Sequence, residues 1–158
     1  MNTLYHGTNN EFDKFDMSYL GKNGRALGHG IYLTHDKKIA KMYGDKILTC
    51  DVVLNKELST TELTITKEQF ESILLDVQRH TDILSNYGEF VIPALKNAFD
   101  TTFKYANNDL DIYNELCNIN GDYLEVMDAF QKLGYTHAVN HKDLKEYIIL
   151  NPNNITIK

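Results

Sequence analysis

The sequence predicts an α+β fold in one domain over residues 1–158, because strand-like segments lie at both ends and helical periodicity fills the middle. The run KILTCDVVL over Lys46–Leu54 is rich in β-branched residues, which favour strands. The end of the chain returns to short apolar runs that are separated by the turn-forming Asn151-Pro-Asn-Asn154. Antiparallel strands early and late, with helices between them, make an α+β arrangement. The helical insertion is predicted over about residues 66–133.

Six strands and one short helix are predicted outside the insertion. Thr34 or Asp36 can cap a helix that runs through Tyr43 and ends at Gly44. Residues 9–28 are predicted to form a loop whose second half carries three glycines, and loops of this length are usually functional or mobile. The predicted strands are Thr3–His6, stopped by Gly7, then Gly30–Thr34, Lys46–Leu54, Tyr135–Asn140, Glu146–Leu150 and Ile155–Ile157.

Helical signals dominate the insertion. Thr66-Lys-Glu-Gln69 matches a capping box and precedes apolar residues at i, i+3, i+4 and i+7, as in an amphipathic helix. A second helix is predicted over Glu89–Tyr105, with Pro93 tolerable near its first turn. A third covers Asp122–Leu133, with Gly134 in the C′ position. Aromatic and Met stripes at this spacing indicate core rather than cofactor contacts.

The formal net charge of −6 argues against a broad basic surface for non-specific nucleic-acid binding, although a local basic groove survives such an average. No apolar run of about 18 residues exists, and the N-terminus lacks the pattern of a secretory signal. Cys50 and Cys117 have no CxxC spacing and are interpreted as reduced core thiols. The sequence therefore predicts a cytoplasmic protein without a membrane partner, and leaves export without a classical signal open.

Three short segments contain candidate functional residues: Leu4-Tyr-His-Gly-Thr8, Gly28-His-Gly-Ile-Tyr-Leu-Thr34 and Lys145-Glu-Tyr-Ile-Ile-Leu-Asn151. Each has a structural explanation when it is taken alone. His6 at the end of an apolar strand is usually a hydrogen-bonded core histidine, Tyr32 within a strand usually packs, and Glu146 at a strand start is usually a solvated charge. Their occurrence together and in this order favours a shared function.

A strand ending in His-Gly-Thr, then Gly-x-Gly-Ile-Tyr-x-Thr, then Glu-Tyr-Ile resembles the His-Tyr-Glu branch of the ADP-ribosyltransferases. That branch includes the diphtheria-toxin-like enzymes and the poly(ADP-ribose) polymerases. Tyr43 follows Tyr32 by 11 residues, which is similar to the family's pair of stacking tyrosines. The resemblance covers roughly residues 3–54 and 130–158, where the tail is similar to compact phage and bacterial members. It implies the family's split antiparallel sheet.

The resemblance also implies roles in binding and cleaving NAD as co-substrate. Cleavage of NAD develops an oxocarbenium-like ribose, as in glycoside hydrolysis. Tyr32 and Tyr43 would enclose the cationic nicotinamide ring. Glu146 would bond the ribose 2′-hydroxyl and stabilise the developing charge. The backbone of Gly7 would hold the carboxamide, and His6, assisted by Thr8, would hydrogen-bond the adenosine ribose, so that His6, Tyr32 and Glu146 are the implied catalytic residues.

Two further residues complete the predicted NAD-binding set. Arg25, with Lys22, could neutralise the diphosphate, and a solvated charge is the equal alternative. Gly30 belongs to the motif around Tyr32, although tight entry into the strand explains it better than a phosphate cradle. The histidines have no ligand spacing, so no metal is predicted.

Two positions depart from the family pattern. Leu144 stands two residues before Glu146, where the arginine-specific branch carries an acidic or amide side chain, so arginine is disfavoured as the acceptor. Ala40 stands three residues before Tyr43, where many relatives have a serine that bonds the nicotinamide amide; Thr34 or a backbone group could substitute. The chain is shorter than poly(ADP-ribose) polymerase catalytic domains, which favours transfer of a single unit.

The predicted function is mono-ADP-ribosyl transfer from NAD to a macromolecular acceptor, with release of nicotinamide, in a bacterial or phage toxin, defence enzyme or effector. Protein is the default acceptor, RNA and DNA stay open, and an antitoxin or inhibitor could be a further partner. NAD glycohydrolysis and a catalytically silent NAD-binding module are the alternatives. The presence of Glu146 argues against the silent module, because inactive relatives often lose that carboxylate.

Overall fold

The computed structural model describes residues 2–16, 30–80, 100–120, 123–140 and 146–158, and seven strands in these ranges form one sheet. The strands are β1 (Asn2–Thr8), β2 (Ile31–Thr34), β3 (Lys46–Val52), β4 (Lys56–Leu58), β5 (Tyr135–Val139), β6 (Glu146–Ile149) and β7 (Ile155–Ile157). Their order across the sheet is β4-β5-β6-β2-β1-β3-β7. The β4–β5 pair is parallel and the other pairs are antiparallel.

The sheet belongs to one of two compact units, which consists of Met1–Leu58 together with Gly134–Lys158. Its strands alternate between two environments, because successive side chains of a strand point to opposite faces. On β2, Ile31 and Leu33 are buried in the hydrophobic core, whereas Tyr32 and Thr34 face the opposite side. On the neighbouring β6, Glu146 is the register partner of Thr34 and shares its face. One face therefore carries the core and the other carries polar and aromatic side chains.

The core face is closed by the segment that follows β1. Phe15 from this segment is fully buried, and Phe12 packs against the same cluster. Burial of an aromatic side chain contributes on the order of 2–3 kcal/mol, so the cluster is a main source of stability for this unit. The buried members of the cluster are Leu4, Phe15, Ile31, Leu33, Cys50, Val52, Ile149 and Ile155.

Helix α1 (Lys37–Lys41) packs on the polar face through two close backbone contacts. A Cβ added to Gly7 would lie 1.6 Å from the carbonyl oxygen of Ala40, and one added to Gly44 would lie 2.2 Å from the carbonyl carbon of Thr8. Only glycine permits such an approach, since any Cβ would overlap the facing backbone. Asp36 caps α1 by accepting a hydrogen bond from the Lys38 N–H at 2.8 Å.

The second unit, Ser59–Leu133, is helical in its described part. It contains α2 (Lys67–His80), a helical segment over 100–105, α3 (Asp109–Asn120) and α4 (Tyr123–Lys132). Both α2 and α3 pack against α4. The rings of Tyr113 and Phe130 meet edge to face at 5.2 Å, and those of Phe70 and Phe103 stack at 4.9 Å. The core of this unit is formed by apolar stripes, as the periodicity predicted.

The α+β prediction is confirmed, and several details of the predicted elements are too. In the capping box, the Thr66 N–H donates to Gln69 Oε1 at 2.9 Å and the Gln69 N–H donates to Thr66 Oγ1 at 3.2 Å. Gly134 adopts a φ of 91°, the left-handed conformation expected at C′. The predicted strands lie within a few residues of their observed bounds, and so does the predicted helix Asp122–Leu133. The first helix of the insertion begins directly after the predicted cap Thr66, and 100–105 is helical within the predicted Glu89–Tyr105.

Three details of the prediction were wrong. β1 continues through Gly7 to Thr8, because Gly7 stays in register with Ile47 of β3. β4 was not predicted, since three residues of the sequence Lys-Glu-Leu carry no strand pattern, and its parallel pairing makes the sheet mixed rather than wholly antiparallel. α3 was also missed, because its Asp- and Asn-rich sequence has low helix propensity.

Several predictions fall on residues outside those that the structure describes. They concern the glycine-bearing loop over 17–28 with Lys22 and Arg25, most of Glu89–Tyr105 with Pro93, and Leu144. In the described ranges, every helix is too short or too polar to cross a membrane.

Asp109 connects the start of the helical unit to α3. Its side chain is fully buried, and its carboxylate accepts hydrogen bonds from the Thr64 N–H at 2.7 Å, the Ile65 N–H at 3.0 Å and the Thr64 hydroxyl. Its own N–H donates to the Glu62 carbonyl at 3.2 Å. The carboxylate therefore satisfies three donors in the segment before α2.

We expect Asp109→Ala to lower the free energy of unfolding by on the order of 3 kcal/mol or more, because it leaves three donors without an acceptor. Urea denaturation followed by circular dichroism measures the change. Glu115→Ala removes an exposed carboxylate from the same helix and should stay within about 0.5 kcal/mol of the wild type. An equal loss in both variants would show that the three hydrogen bonds to Asp109 add nothing to the free energy of unfolding beyond the effect of a negative charge on α3.

Candidate active site

The polar face of the sheet carries a cleft between β1, β2, β6 and α1. It encloses about 270 Å³ of space, part of which is open to solvent. Three of its walls come from segments that the sequence identified as candidate motifs. Its lining residues are Tyr5, His6, Gly7, Tyr32, Leu33, Thr34, Ala40, Tyr43 and Glu146.

Glu146 is the buried acidic residue of this cleft, with 3% of its surface exposed. It is the first residue of β6, where it pairs with Thr34, and its carbonyl accepts a hydrogen bond from the Asn140 N–H at 2.8 Å. Backbone pairing on both sides thus fixes the main chain from which the carboxylate extends. The Tyr43 hydroxyl donates a hydrogen bond to Glu146 Oε1.

Tyr43 lies in the turn that ends α1. Its N–H donates to the Ala40 carbonyl at 3.0 Å, and the next residue, Gly44, packs directly on Thr8 of β1. The phenol is half-buried and close to a carboxylate. Burial first, and then the hydrogen bond to Glu146, raise the pKa of Tyr43 to about 12, so the phenol is a proton donor at neutral pH.

Tyr32 lies across the cleft from α1, in the middle of β2. Strand alternation directs its half-buried side chain to the same face as Glu146, since Tyr32 and Thr34 are two residues apart. Tyr32 and Tyr43 therefore line one cleft, although they come from different elements. Two aromatic side chains beside a carboxylate form a site that suits a flat cationic group.

His6 contacts the cleft differently from the other two candidates. On β1 it shares the core face with Leu4, and its ring meets Phe15 edge to face at 4.8 Å. Its Nδ1 lies 2.7 Å from the carbonyl oxygen of Tyr32. A carbonyl only accepts, so Nδ1 carries the proton and Nε2 is left as an acceptor in the neutral ring. Burial lowers the pKa of His6, which keeps the ring neutral.

The His6 ring lies at the boundary between β1 and β2, where the two strands share little backbone pairing. β1 pairs with β3 along its whole length but with β2 through the single position Tyr5–Thr34. Beyond that position, the His6 side chain contacts the β2 backbone at Tyr32. β1 and β2 thus border the cleft, and the hydrogen bond from the His6 side chain to the Tyr32 carbonyl links the two strands there.

The remaining predicted NAD-binding residues differ in whether they line the cleft. Gly7 lines the cleft against Ala40. Thr8 is buried beside Gly44, and its hydroxyl accepts a hydrogen bond from the Asn10 N–H at 3.1 Å, so it supports the wall without lining it. A Cβ on Gly30 would lie 2.0 Å from Cγ2 of Ile148, which agrees with the packing explanation for this glycine. Arg25 is outside the described residues.

Sequence reasoning missed Tyr5 and Leu33 as lining residues. The period of two could have found Tyr5, because it lies two residues before Gly7 on the same strand and thus on the same face. Thr34, considered as a substitute for the absent serine, does line the cleft, and its hydroxyl oxygen accepts a hydrogen bond from the Asp36 N–H at 3.2 Å. Ala40 is buried and offers no side-chain hydroxyl.

A second polar cluster lies on the other face of β6. His35 Nε2 is 2.6 Å from the Tyr147 hydroxyl, and the His137 ring stacks on Tyr147 at 6.2 Å. Burial raises the pKa of Tyr147. In the ranges that the structure describes, no three His, Cys, Asp or Glu side chains are grouped as metal ligands would be.

The chain matches the family model described as "ADP-Ribosyltransferase in polyvalent proteins" over residues 2–155. The chain belongs to this family. The match spans the cleft residues and the helical insertion alike, so the resemblance drawn from three short motifs is confirmed for the superfamily and for its α+β fold. The protein is an ADP-ribosyltransferase, a class of enzyme that uses NAD as co-substrate.

Two further comparisons add little. No curated protein matches the sequence. A solved structure described as "Crystal structure of an anti-CRISPR protein" is similar at 14% identity, with a TM-score of 0.42, over 99% of this chain and 93% of that chain. A likeness at this level carries no argument about function.

The buried His6 ring makes the stability of the enzyme depend on pH. Its folded-state pKa lies below the ordinary value of about 6.5, so as the pH falls through 6.5 the unfolded chain takes up a proton that the folded chain does not. We expect the free energy of unfolding to fall from about pH 7 downward until the folded pKa is reached, by at most about 1.4 kcal/mol per pH unit from this residue.

His6→Asn isolates this contribution, because the Asn amide can still donate to the Tyr32 carbonyl but does not titrate. Urea denaturation at several pH values should give a flatter profile for the variant than for the wild type. Parallel profiles would refute the assignment of a neutral, buried His6.

Proposed function

We propose that this enzyme transfers a single ADP-ribose unit from NAD to a macromolecular acceptor and releases nicotinamide, using the His-Tyr-Glu arrangement of residues. The observation that carries the proposal is the buried carboxylate of Glu146 in one cleft with Tyr32 and Tyr43. A charged group is rarely buried without a function or a counter-charge. Here a cationic ligand would supply that counter-charge.

The nicotinamide end of NAD fits the chemistry of the cleft. Its ring is flat and cationic, so it gains stacking and cation–π attraction between Tyr32 and Tyr43. Gly7 lines the cleft, so the backbone of β1 at this position would border the carboxamide. Because Tyr32, Tyr43, Gly7 and Glu146 line the same cleft, we assign to it the nicotinamide-ribose end of the dinucleotide.

His6 suits the adenosine end of the same ligand. With Nδ1–H engaged by the Tyr32 carbonyl, its neutral ring offers Nε2 as an acceptor for a ribose hydroxyl. The same hydrogen bond couples His6 to the backbone of a stacking residue. His6 thus acts on the position of Tyr32 as well as on the ligand.

The reaction breaks the bond between C1′ of the ribose and the ring nitrogen, and the electron pair leaves with nicotinamide, which becomes neutral. Glu146 accepts a hydrogen bond from the ribose 2′-hydroxyl and stabilises the positive charge that develops on the sugar. A nucleophilic atom of the acceptor then forms a bond to C1′ and loses its proton. Replacement of the acceptor by water gives NAD hydrolysis.

Glu146→Gln tests the assignment, because it keeps the shape and a carbonyl oxygen for Tyr43 while removing the charge. We expect nicotinamide release from NAD to fall by about 10²- to 10³-fold in kcat, the usual loss for a preorganised electrostatic group. The melting temperature should change little by comparison. Nicotinamide is quantified by chromatography after incubation with NAD.

Glu11→Gln serves as the matched control, because Glu11 is an exposed carboxylate that pairs with Lys46 outside the cleft. It should retain the wild-type rate. Near-wild-type turnover in Glu146→Gln would contradict the proposed function.

The acceptor is tested with NAD labelled in its adenosine moiety. Incubation of the protein with a bacterial lysate, followed by mass spectrometry of separate protein and nucleic-acid fractions, should yield an ADP-ribose adduct that Glu146→Gln does not produce. Protein is the expected fraction. Free labelled ADP-ribose without any adduct would instead establish a glycohydrolase.

The proposed biological setting is a bacterial or phage toxin, defence enzyme or effector, which follows from the resemblance to compact members. Induced expression in a bacterial host should slow growth for the wild type and not for Glu146→Gln at equal protein level. Equal growth of both strains would argue against a toxic role.

A further inference from the structure

We propose that the Tyr43 hydroxyl is a positioning group for Glu146, which holds one carboxylate oxygen so that the other is presented to the ribose 2′-hydroxyl. The inference rests on the proposed function and adds a second task to Tyr43, whose ring alone would enclose nicotinamide. The ring of Tyr43 would bind nicotinamide, and its hydroxyl would orient Glu146 for the cleavage step.

The geometry supports this division. Tyr43 is held by α1 and its turn, whereas Glu146 begins β6, and the two residues are 103 positions apart in the chain. Their side chains nevertheless meet across the cleft, with the phenol hydroxyl donating to Oε1. Two backbone contacts without a Cβ, at Gly7 and Gly44, fix the distance between α1 and the sheet. The hydrogen bond therefore joins two rigidly held elements rather than two surface side chains.

The carboxylate has capacity for more than this one bond. Two carboxylate oxygens offer about four acceptor positions. Among the residues that the structure describes, Tyr43 is the one hydrogen-bond donor to the Glu146 side chain. The side chain is almost fully buried and lines the cleft, so its second oxygen is left to a ligand there.

The phenol is suited to the task at any physiological pH. Because its pKa is raised to about 12, Tyr43 keeps its proton and remains a donor. A glutamate held in this way does not need to find its reactive rotamer after NAD has bound, and such preorganisation favours the transition state over the ground state. The hydroxyl should therefore affect kcat, while the ring affects substrate binding.

Two substitutions separate the two parts. Tyr43→Phe removes the hydroxyl and keeps the ring; we expect kcat for nicotinamide release to fall about 10- to 100-fold with KM changed less than about threefold. Tyr43→Leu removes both and should also raise KM by about tenfold or more. Tyr147→Phe is the matched control, because it removes a hydrogen-bonded phenol hydroxyl next to Glu146 on the other face of β6. Its kcat should equal that of the wild type.

A double-mutant cycle identifies Glu146 as the group through which the hydroxyl acts. When Glu146→Gln is already present, the addition of Tyr43→Phe should reduce kcat by less than about twofold, because there is no charged oxygen left to orient. Independent effects that multiply would overturn the inference. So would a Tyr43→Phe variant with unchanged or increased kcat, which would mean that the bond is neutral or restrains the enzyme.

A measurement without NAD keeps the inference distinct from the proposed function. Tyr43→Phe should lower the melting temperature by about 2–6 °C in the wild-type background, and by clearly less when Glu146 is replaced by Leu. Equal shifts in both backgrounds would exclude the hydrogen bond.

If the bond is present but the wild type neither binds NAD nor releases nicotinamide, the proposed function fails and the positioning role fails with it. Release of nicotinamide at an unchanged rate by Tyr43→Phe overturns only the positioning role.

Discussion

The site depends on the close approach of α1 to β1. At Gly7 the carbonyl of Ala40 lies where a Cβ would be, and at Gly44 the backbone of Thr8 does the same. These two contacts bring the end of α1 close enough to the sheet for Tyr43 to reach Glu146 on β6. Glycine at these two positions is thus a requirement of the site, because a methyl group at either would move the helix outward.

The close approach of α1 to β1 also involves Ala40, the position where many relatives carry a serine. Ala40 occupies the position nearest Gly7, where it is buried and has no hydroxyl. Thr34 also lines the cleft, as the register partner of Glu146 on the neighbouring strand. A hydroxyl is therefore present in the cleft, but on the residue paired with Glu146 and not at the position that contacts Gly7. In the proposed mode of NAD binding, Glu146 and Thr34 lie at the ribose end of the site, and the backbone at Gly7 borders the carboxamide.

Much of the fold and the site was readable from local patterns. The capping box at Thr66 and the C′ glycine at Gly134 are confirmed, because each depends on neighbours within a few residues. α3 also had a signal: Asn108 caps it, and buried residues recur at Ile112, Tyr113 and Leu116, but its Asp and Asn content obscured the period. β4 had none, since its pairing with β5 exists only through tertiary contact. The resemblance placed Tyr43 and Glu146 in one site, but the hydrogen bond between them depends on tertiary packing that local sequence patterns do not show.

The chain order of the cleft has a consequence for its biosynthesis. His6, Tyr32 and Tyr43 precede the helical insertion, whereas Glu146 follows it on β6, which inserts between β2 and β5. During translation the residues of the aromatic walls are synthesised well before Glu146. Contacts of such large sequence separation form late and slowly. A nascent chain therefore has no acidic group in this cleft, and the chemistry that Glu146 would support begins only when β6 joins the sheet.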